Sequence, residues 1–188
     1  MAVELVYETH ATTTDNEAGI STGWLHGDLS ARGRREAEEL GGRRRGEGIA
    51  VVFSSDLRRS VETARIAFPG GRPPIRLDAR LRECDYGELN GQPAAVVAAR
   101  RGRHVEEPFP GGQSYREVLD ATGDFLRDLV RDWDGARVLV VGHTANLWAL
   151  ECLLAGASLE DLLGAPFAWQ PGWTYTVPPD WGRRTVAG

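Results

Sequence analysis

The sequence predicts an α/β domain, a three-layer α/β/α arrangement with a mostly parallel central sheet, on three observations. Ile49-Ala50-Val51-Val52-Phe53 and Val138-Leu139-Val140-Val141 are unbroken apolar runs with the length and composition of strands buried on both faces. Segments of helical spacing lie between these and the other strand-like runs, and alternation of strand with helix favours parallel crossovers. Polar groups follow three of the runs: His10 after the first, Ser54-Ser55-Asp56 after the second, His143 after the third. Open α/β sheets bind ligands beyond the carboxyl ends of their strands, so parallel pairing brings these groups to one edge.

Each element has its own local reason. Val3 to Tyr7 is a short apolar run with polar flanks, a strand, and residues 18–28 form a Gly/Ser/Thr-rich loop. Ser30 can cap a helix running through Arg44, and the Arg43-Arg44-Arg45 cluster near its end suits the helix dipole and reads as a solvated helix end. A helix follows Asp56 through Phe68, then a turn from Gly70 to Pro74, a short strand Ile75–Leu77, and a loop over 81–91. A helix is expected over Ala94 to Arg101, and a Pro/Gly loop over Pro108 to Gln113. Ser114 can cap a long helix that carries Val118, Thr122, Phe125 and Leu129 at helical spacing. After the Val138 strand a helix begins near Thr144, and the aromatic, proline-rich stretch Phe167 to Pro178 holds a last strand around Tyr175. Trp169 and Trp173 read as core or lid edge. All 188 residues read as one domain, with the tail after about residue 181 expected to be loose.

Composition removes several function classes. A hydrophobic fraction of 41% with 26% charged residues is that of a soluble globular chain. A net charge of -5 argues against general nucleic-acid binding. No apolar stretch has the length of a membrane span and no basic-then-apolar leader is visible, so a cytoplasmic protein without membrane association is expected. Cys84 and Cys152 sit in no CxxC or Cys/His cluster, which argues against a zinc site or disulfide framework. The chain has no lysine. Any anion site must therefore use arginine, histidine, backbone N–H groups and hydroxyls.

The motifs at the strand ends carry a family resemblance. Thr9-His10-Ala11 with Thr13 and Asn16, then Gly23-Trp24 and Leu29-Ser30-Ala31-Arg32-Gly33, occur in order. Ser54-Ser55-Asp56-Leu57-Arg58-Arg59 with Thr63-Ala64 follows, then Leu81-Arg82-Glu83 to Gly87, Pro110-Gly111-Gly112-Gln113-Ser114, and Val140-Val141-Gly142-His143. Together they resemble the histidine phosphatase superfamily, the phosphoglycerate mutase-like group, over most of the chain. The block from Ser54 to Arg59 is the most specific.

The resemblance implies a phosphatase acting on a small phosphorylated metabolite through a phosphohistidine. His10 is then the nucleophile, and His143 and Arg59 hold the phosphoryl oxygens. Glu83 becomes the general acid and base, although on its own it reads as a surface carboxylate. Thr9, Thr13, Asn16 and Thr144 are the expected neutral phosphate-binding groups. No cofactor and no metal is implied. Mutase activity is less expected than hydrolysis, because mutases of this group carry insertions that this compact chain lacks.

The chain also departs from the family pattern around the site. The arginine before the nucleophile is Thr9, the glycine after it is Ala11, and Glu8 stands where an apolar residue is usual. Losing one preorganised donor commonly costs about 2.7–4 kcal/mol of transition-state stabilisation. Residues 8 and 10 of a strand project to one side, so Glu8 is expected to repel phosphate or to pair with His10. Arg58 and Arg82 are candidates to fill the missing cation, although Arg58 is expected to face solvent, and His26 lies within possible reach. Trp24 reads as a packing residue, His104 as exposed, and Asn146 as a pocket candidate. Two alternatives follow: an enzyme on the same scaffold with a less anionic substrate, and a non-catalytic binding or regulatory protein.

Overall fold

A computed structural model describes residues 1–182; the tail expected to be loose falls mostly outside them. In chain order the elements are β1 (Val3–Thr9), α1 (Thr14–Glu17), β2 (Ile20–Ser21), α2 (Ala31–Arg44), β3 (Val51–Ser54), α3 (Arg58–Ala67) and β4 (Ile75–Leu77). They continue with β5 (Gln92–Pro93), α4 (Ala94–Ala98), α5 (Tyr115–Asp132), β6 (Arg137–Gly142), α6 (Thr144–Ala155), α7 (Leu159–Gly164) and β7 (Trp173–Val177). Short 3-10 turns occupy Ala79–Leu81, just ahead of the expected 81–91 loop, Gly87–Leu89 within it, and Arg101–Arg103, beyond a fourth helix that ends at Ala98 rather than at the expected Arg101.

The main sheet has the order β4-β3-β6-β1-β7. Its first four strands are parallel, and β7 closes the edge antiparallel to β1. Period-two alternation sorts the strand side chains onto two cores. Leu5, Tyr7, Val51, Phe53, Val138 and Val140 meet Phe125, Leu126 and Leu129 of α5 and Leu147 and Leu150 of α6. Val6, Val52, Leu139 and Val141 meet Leu40 of α2 and Ala64, Ala67 and Phe68 on the other face. The layers are those expected. Two side-chain caps forecast from sequence are formed: Ser30 Oγ accepts from Gly33 N–H, and Ser114 forms a reciprocal capping box with Glu117.

The Arg43–Arg45 cluster corrects an expectation. Arg45 stays exposed, but Arg44 is not solvated. Arg44 keeps only 11% of its side-chain exposure and donates from Nε to Glu8 at 2.8 Å, from Nη1 to Glu47 and from Nη2 to the Pro171 carbonyl. Arg45 Nε donates to the Ala67 carbonyl. The C-terminal end of α2 lies against β1 and the loop before β7, so its guanidiniums have carboxylates and carbonyls in reach. Beyond β7, Trp181 Nε1 donates to the Gly123 carbonyl at 3.4 Å and so rests on α5.

Candidate active site

Neighbouring parallel strands β3, β6 and β1 end together, and their pairing carries on past their last residues. His10 N–H donates to Gly142 O at 2.9 Å, and Ser55 N–H to Val141 O at 3.4 Å. This register sets His10 beside His143, with ring centroids 5.0 Å apart. Gly142 is needed where it is, since a Cβ there would come within 2.5 Å of Tyr7 Oη. That same hydroxyl donates to the His143 carbonyl at 2.6 Å and ties the second strand end to β1.

The block from Ser54 to Ala64 builds the third wall. Arg59 is buried on the first turn of α3, with Nη2 donating to Gly23 O at 2.8 Å and Nε reaching His10 Nε2 at 3.3 Å. Thr63, one turn on, accepts from Ala11 N–H at 3.0 Å and holds the loop after His10 against α3. Ser54 and Ser60 share a 2.8 Å hydrogen bond, and Ser60 also donates to Val141 O, which locks the turn after β3 to β6. Gly33 of α2 packs on the same loop so closely that a Cβ would lie 1.8 Å from the Thr12 carbonyl oxygen.

The His10 ring is oriented by its neighbour. Nδ1 lies 2.8 Å from the Ala11 carbonyl, an acceptor only, so Nδ1 bears the hydrogen and Nε2 keeps its lone pair toward Arg59. Part of the residue remains accessible, yet the ring is enclosed by protein. Desolvation is the largest cause that pushes its pKa down to about 3; the Arg59 charge adds to this and the Ala11 carbonyl opposes it. His143 is held well below its ordinary value by burial, then by Arg59 and His10. Both imidazoles are neutral at pH 7. Ser55 Oγ stands 2.7 Å from His143 Nε2, and both residues are fully buried.

Glu83 is buried and its carboxyl is pushed above the ordinary carboxylate range, mainly by desolvation, against the opposing pull of the Cys84 N–H and Arg59. Its Oε1 accepts from Cys84 N–H at 2.8 Å. Trp24 anchors the same segment through an Nε1 hydrogen bond to Glu83 O at 2.6 Å, and Asn146 bridges His143 N–H and Arg82 O. The surface reading of Glu83 therefore does not hold.

A cavity of about 550 Å³ opens beside His10, lined among others by Thr9, Asn16, Thr144, Glu8, Arg43 and Trp169. Thr13 is fully buried and is spent on a reciprocal cap with Asn16, each accepting from the other's backbone N–H at 3.0 Å. Its first job is to start α1. Trp169 is 60% exposed on the cavity wall, while Trp173 packs edge-on against Tyr7. His104, expected to be exposed, stacks on Phe109 with centroids 4.0 Å apart.

Glu8 corrects a second expectation. It does line the His10 cavity, but its carboxylate is taken by Arg44 at 2.8 Å and by Arg43 at 3.3 and 3.4 Å, and it neither pairs with His10 nor stands free to repel an anion. The proposed replacements for the missing arginine are also engaged elsewhere. Arg82 makes a forked pair with Asp56 at 2.6 and 2.5 Å and lies over the Trp24 ring, and Arg58 pairs with Asp28 at 2.9 Å. His26 is exposed beside them, in a separate depression with Trp24 and Leu57. Sequence reasoning missed the Arg43 and Arg44 contacts and the Ser55–His143 hydrogen bond. The only signal for the former was an arginine cluster with an acid stranded in a strand, and neither pattern names a partner.

Among the described residues no group of three or more His, Cys, Asp or Glu side chains is placed to hold a metal ion, and no helix is long and apolar enough to cross a membrane. The sequence profile of the histidine phosphatase superfamily, branch 1, matches residues 9–174. Phosphoserine phosphatase 1 of Hydrogenobacter thermophilus is 31% identical over 166 residues, covering 84% of this chain and 79% of that protein. A 2,3-bisphosphoglycerate-dependent phosphoglycerate mutase of Methylobacterium sp. strain 4-46 is 33% identical over 175 residues, covering 85% and 84%. Bacillus stearothermophilus YhfR superposes with a TM-score of 0.80 at 27% identity, over 90% of this chain and 88% of that one. A mycobacterial glucosyl-3-phosphoglycerate phosphatase gives a TM-score of 0.72 at 26% identity, over 87% and 84%. These relatives support phosphatase or mutase chemistry, and with the matching profile over residues 9–174 the chain belongs to the histidine phosphatase superfamily, branch 1.

Proposed function

We propose that the protein is a phosphatase that hydrolyses a small phosphomonoester through a phosphohistidine on His10. The observation that carries this reading is the state of His10. Its Nδ1–H is committed to the Ala11 carbonyl, and its neutral ring points the Nε2 lone pair at Arg59. A nucleophile is required in just that form.

A substrate phosphoryl group takes the place of the Arg59 contact at Nε2. Phosphorus bonds to Nε2 while its bond to the leaving oxygen breaks, and Glu83, whose carboxyl burial pushes above the ordinary carboxylate range, protonates that oxygen. Glu83, now a carboxylate, takes a proton from water, whose oxygen attacks phosphorus and releases His10 and inorganic phosphate. Arg59 and His143 bear the charge on the equatorial oxygens, Arg59 through its planar fork. Thr9, Asn16 and Thr144 supply neutral polar groups at the mouth, in keeping with their place on the cavity wall. The pairing of Glu8 with Arg44 removes one of the two grounds for a less anionic substrate; the other, Thr9 in place of arginine, concerns rate rather than reaction type.

The test is turnover of a phosphomonoester panel by the purified protein, with acid-quench detection of a phosphorylated histidine. His10→Ala is expected to abolish both. Hydrolysis that persists in His10→Ala, or no hydrolysis of any phosphoester, refutes the proposal.

A further inference from the structure

Ser55 has one structural oddity: a fully buried hydroxyl whose only hydrogen bond among the described residues is to a fully buried imidazole. Its backbone N–H donates to Val141 O at 3.4 Å. The side chain is fully buried, and Oγ lies 2.7 Å from His143 Nε2.

The hydrogens of this pair do not balance. A neutral imidazole carries one ring hydrogen and a serine one hydroxyl hydrogen. The single hydrogen bond between them uses one of the two. If Nε2 bears the ring hydrogen and donates, the hydroxyl hydrogen has no acceptor, because Oγ makes no other bond. If the hydroxyl donates, the ring hydrogen sits on Nδ1, which is buried, makes no hydrogen bond and faces the Asn146 backbone N–H at the start of α6, itself a donor. Either way one donor is left over, 5.0 Å (ring centroid to centroid) from His10, and a buried unsatisfied donor is costly. An oxyanion arriving beside His10 is the acceptor that relieves it.

We propose that Ser55 is a positioning residue for His143: its hydroxyl holds the imidazole so that the pair's uncommitted hydrogen is presented to an oxygen of the transferring phosphoryl group. The inference rests on the phosphoryl-transfer reading above. It fits a pocket in which position 9 is threonine, since a site short of one cation depends more on its neutral donors. It also gives the second serine of the Ser54-Ser55-Asp56 block a role in the chemistry rather than in the turn alone.

The experiment uses protein labelled with 15N-histidine, inorganic phosphate as the probe, and steady-state kinetics on the best phosphomonoester of the panel. In the wild type the His143 ring is expected to show one dominant tautomer, and its signals to move on adding phosphate. In Ser55→Ala the ring signals are expected at tautomer-averaged positions and to stop responding to phosphate, while those of His10 still respond. The kcat is expected to fall about 10- to 100-fold, the scale of losses from misplaced groups, with KM within about threefold. Ser55→Cys, nearly isosteric with a weaker donor, is expected to fall between the two and provides the contrast if Ser55→Ala does not fold. Wild-type kcat and an unchanged tautomer in the folded variants overturn the inference. Should the wild type hydrolyse no phosphoester, the phosphatase reading fails separately, and the His143 response to phosphate, present in the wild type and lost in Ser55→Ala, still decides Ser55.

Discussion

Arg44→Met tests the charge arrangement behind His10. Glu8 has 3% of its side chain exposed and Arg44 has 11%, so the pair is almost out of water. Removing one partner of such a pair strands the other, at a typical cost of 3–5 kcal/mol. Arg43 remains near Glu8, but at 3.3 and 3.4 Å it makes only weak contacts, so the expected loss sits near the bottom of that range, about 3 kcal/mol. For a chain of this size that lowers Tm by about 6–12 °C. Glu8→Met should cost less, about 1 kcal/mol, because Arg44 keeps Glu47 and the Pro171 carbonyl as partners. The double variant should resemble Glu8→Met. Urea unfolding of the three variants gives the cycle directly. A freed Glu8 carboxylate also faces the His10 cavity, so Arg44→Met should weaken inorganic phosphate binding, and the double variant should restore it. Equal losses in the two single variants, or a loss in Arg44→Met under about 1 kcal/mol, refute the reasoning.

Three further outcomes are expected. His10 is depressed to about 3 in the folded protein against 6.5 when free, so the unfolded chain binds more protons between those values. Its contribution to stability is whole above about pH 6.5 and lost as pH falls toward about 3; denaturant titrations across that window should have a shallower pH slope in His10→Asn. Glu83 is displaced the other way, and kcat/KM should decline as pH rises through a pKa that burial holds above the ordinary carboxylate range, a limb that Glu83→Gln removes together with roughly 10²–10⁴ of the rate. A pH profile unaltered by Glu83→Gln would show that another group is the acid. Gly33→Ala should destabilise the fold by about 1–3 kcal/mol, because the new methyl meets the Thr12 carbonyl rather than a side chain that can move aside; chemical denaturation reads this, and a neutral result means that α2 can shift freely against the loop after His10.

The layers, and the edge at which the site forms, were legible in the chain's apolar patterning. Continuous apolar runs at 49–53 and 138–141 have the length and composition of buried strands, and period-two alternation sends their side chains to two helical faces. His10 after the Val3–Tyr7 run, Ser55 after the second run and His143 after the third lie within three residues of a strand end, so the parallel order brings them together. Helix starts at Ser30 and Ser114 were equally legible, since a cap acts within one turn. What only the tertiary structure decided depends on contacts between remote segments. Arg44 meets Glu8 across 36 positions, Ser55 meets His143 across 88, and Trp24 meets the Glu83 carbonyl across 59. Hydropathy and spacing record which face a residue takes; they do not record which charge or hydroxyl waits on the element packed against it. For that reason Glu8 looked like an obstacle to phosphate in the sequence, and only the packing of α2 on β1 showed its charge already matched.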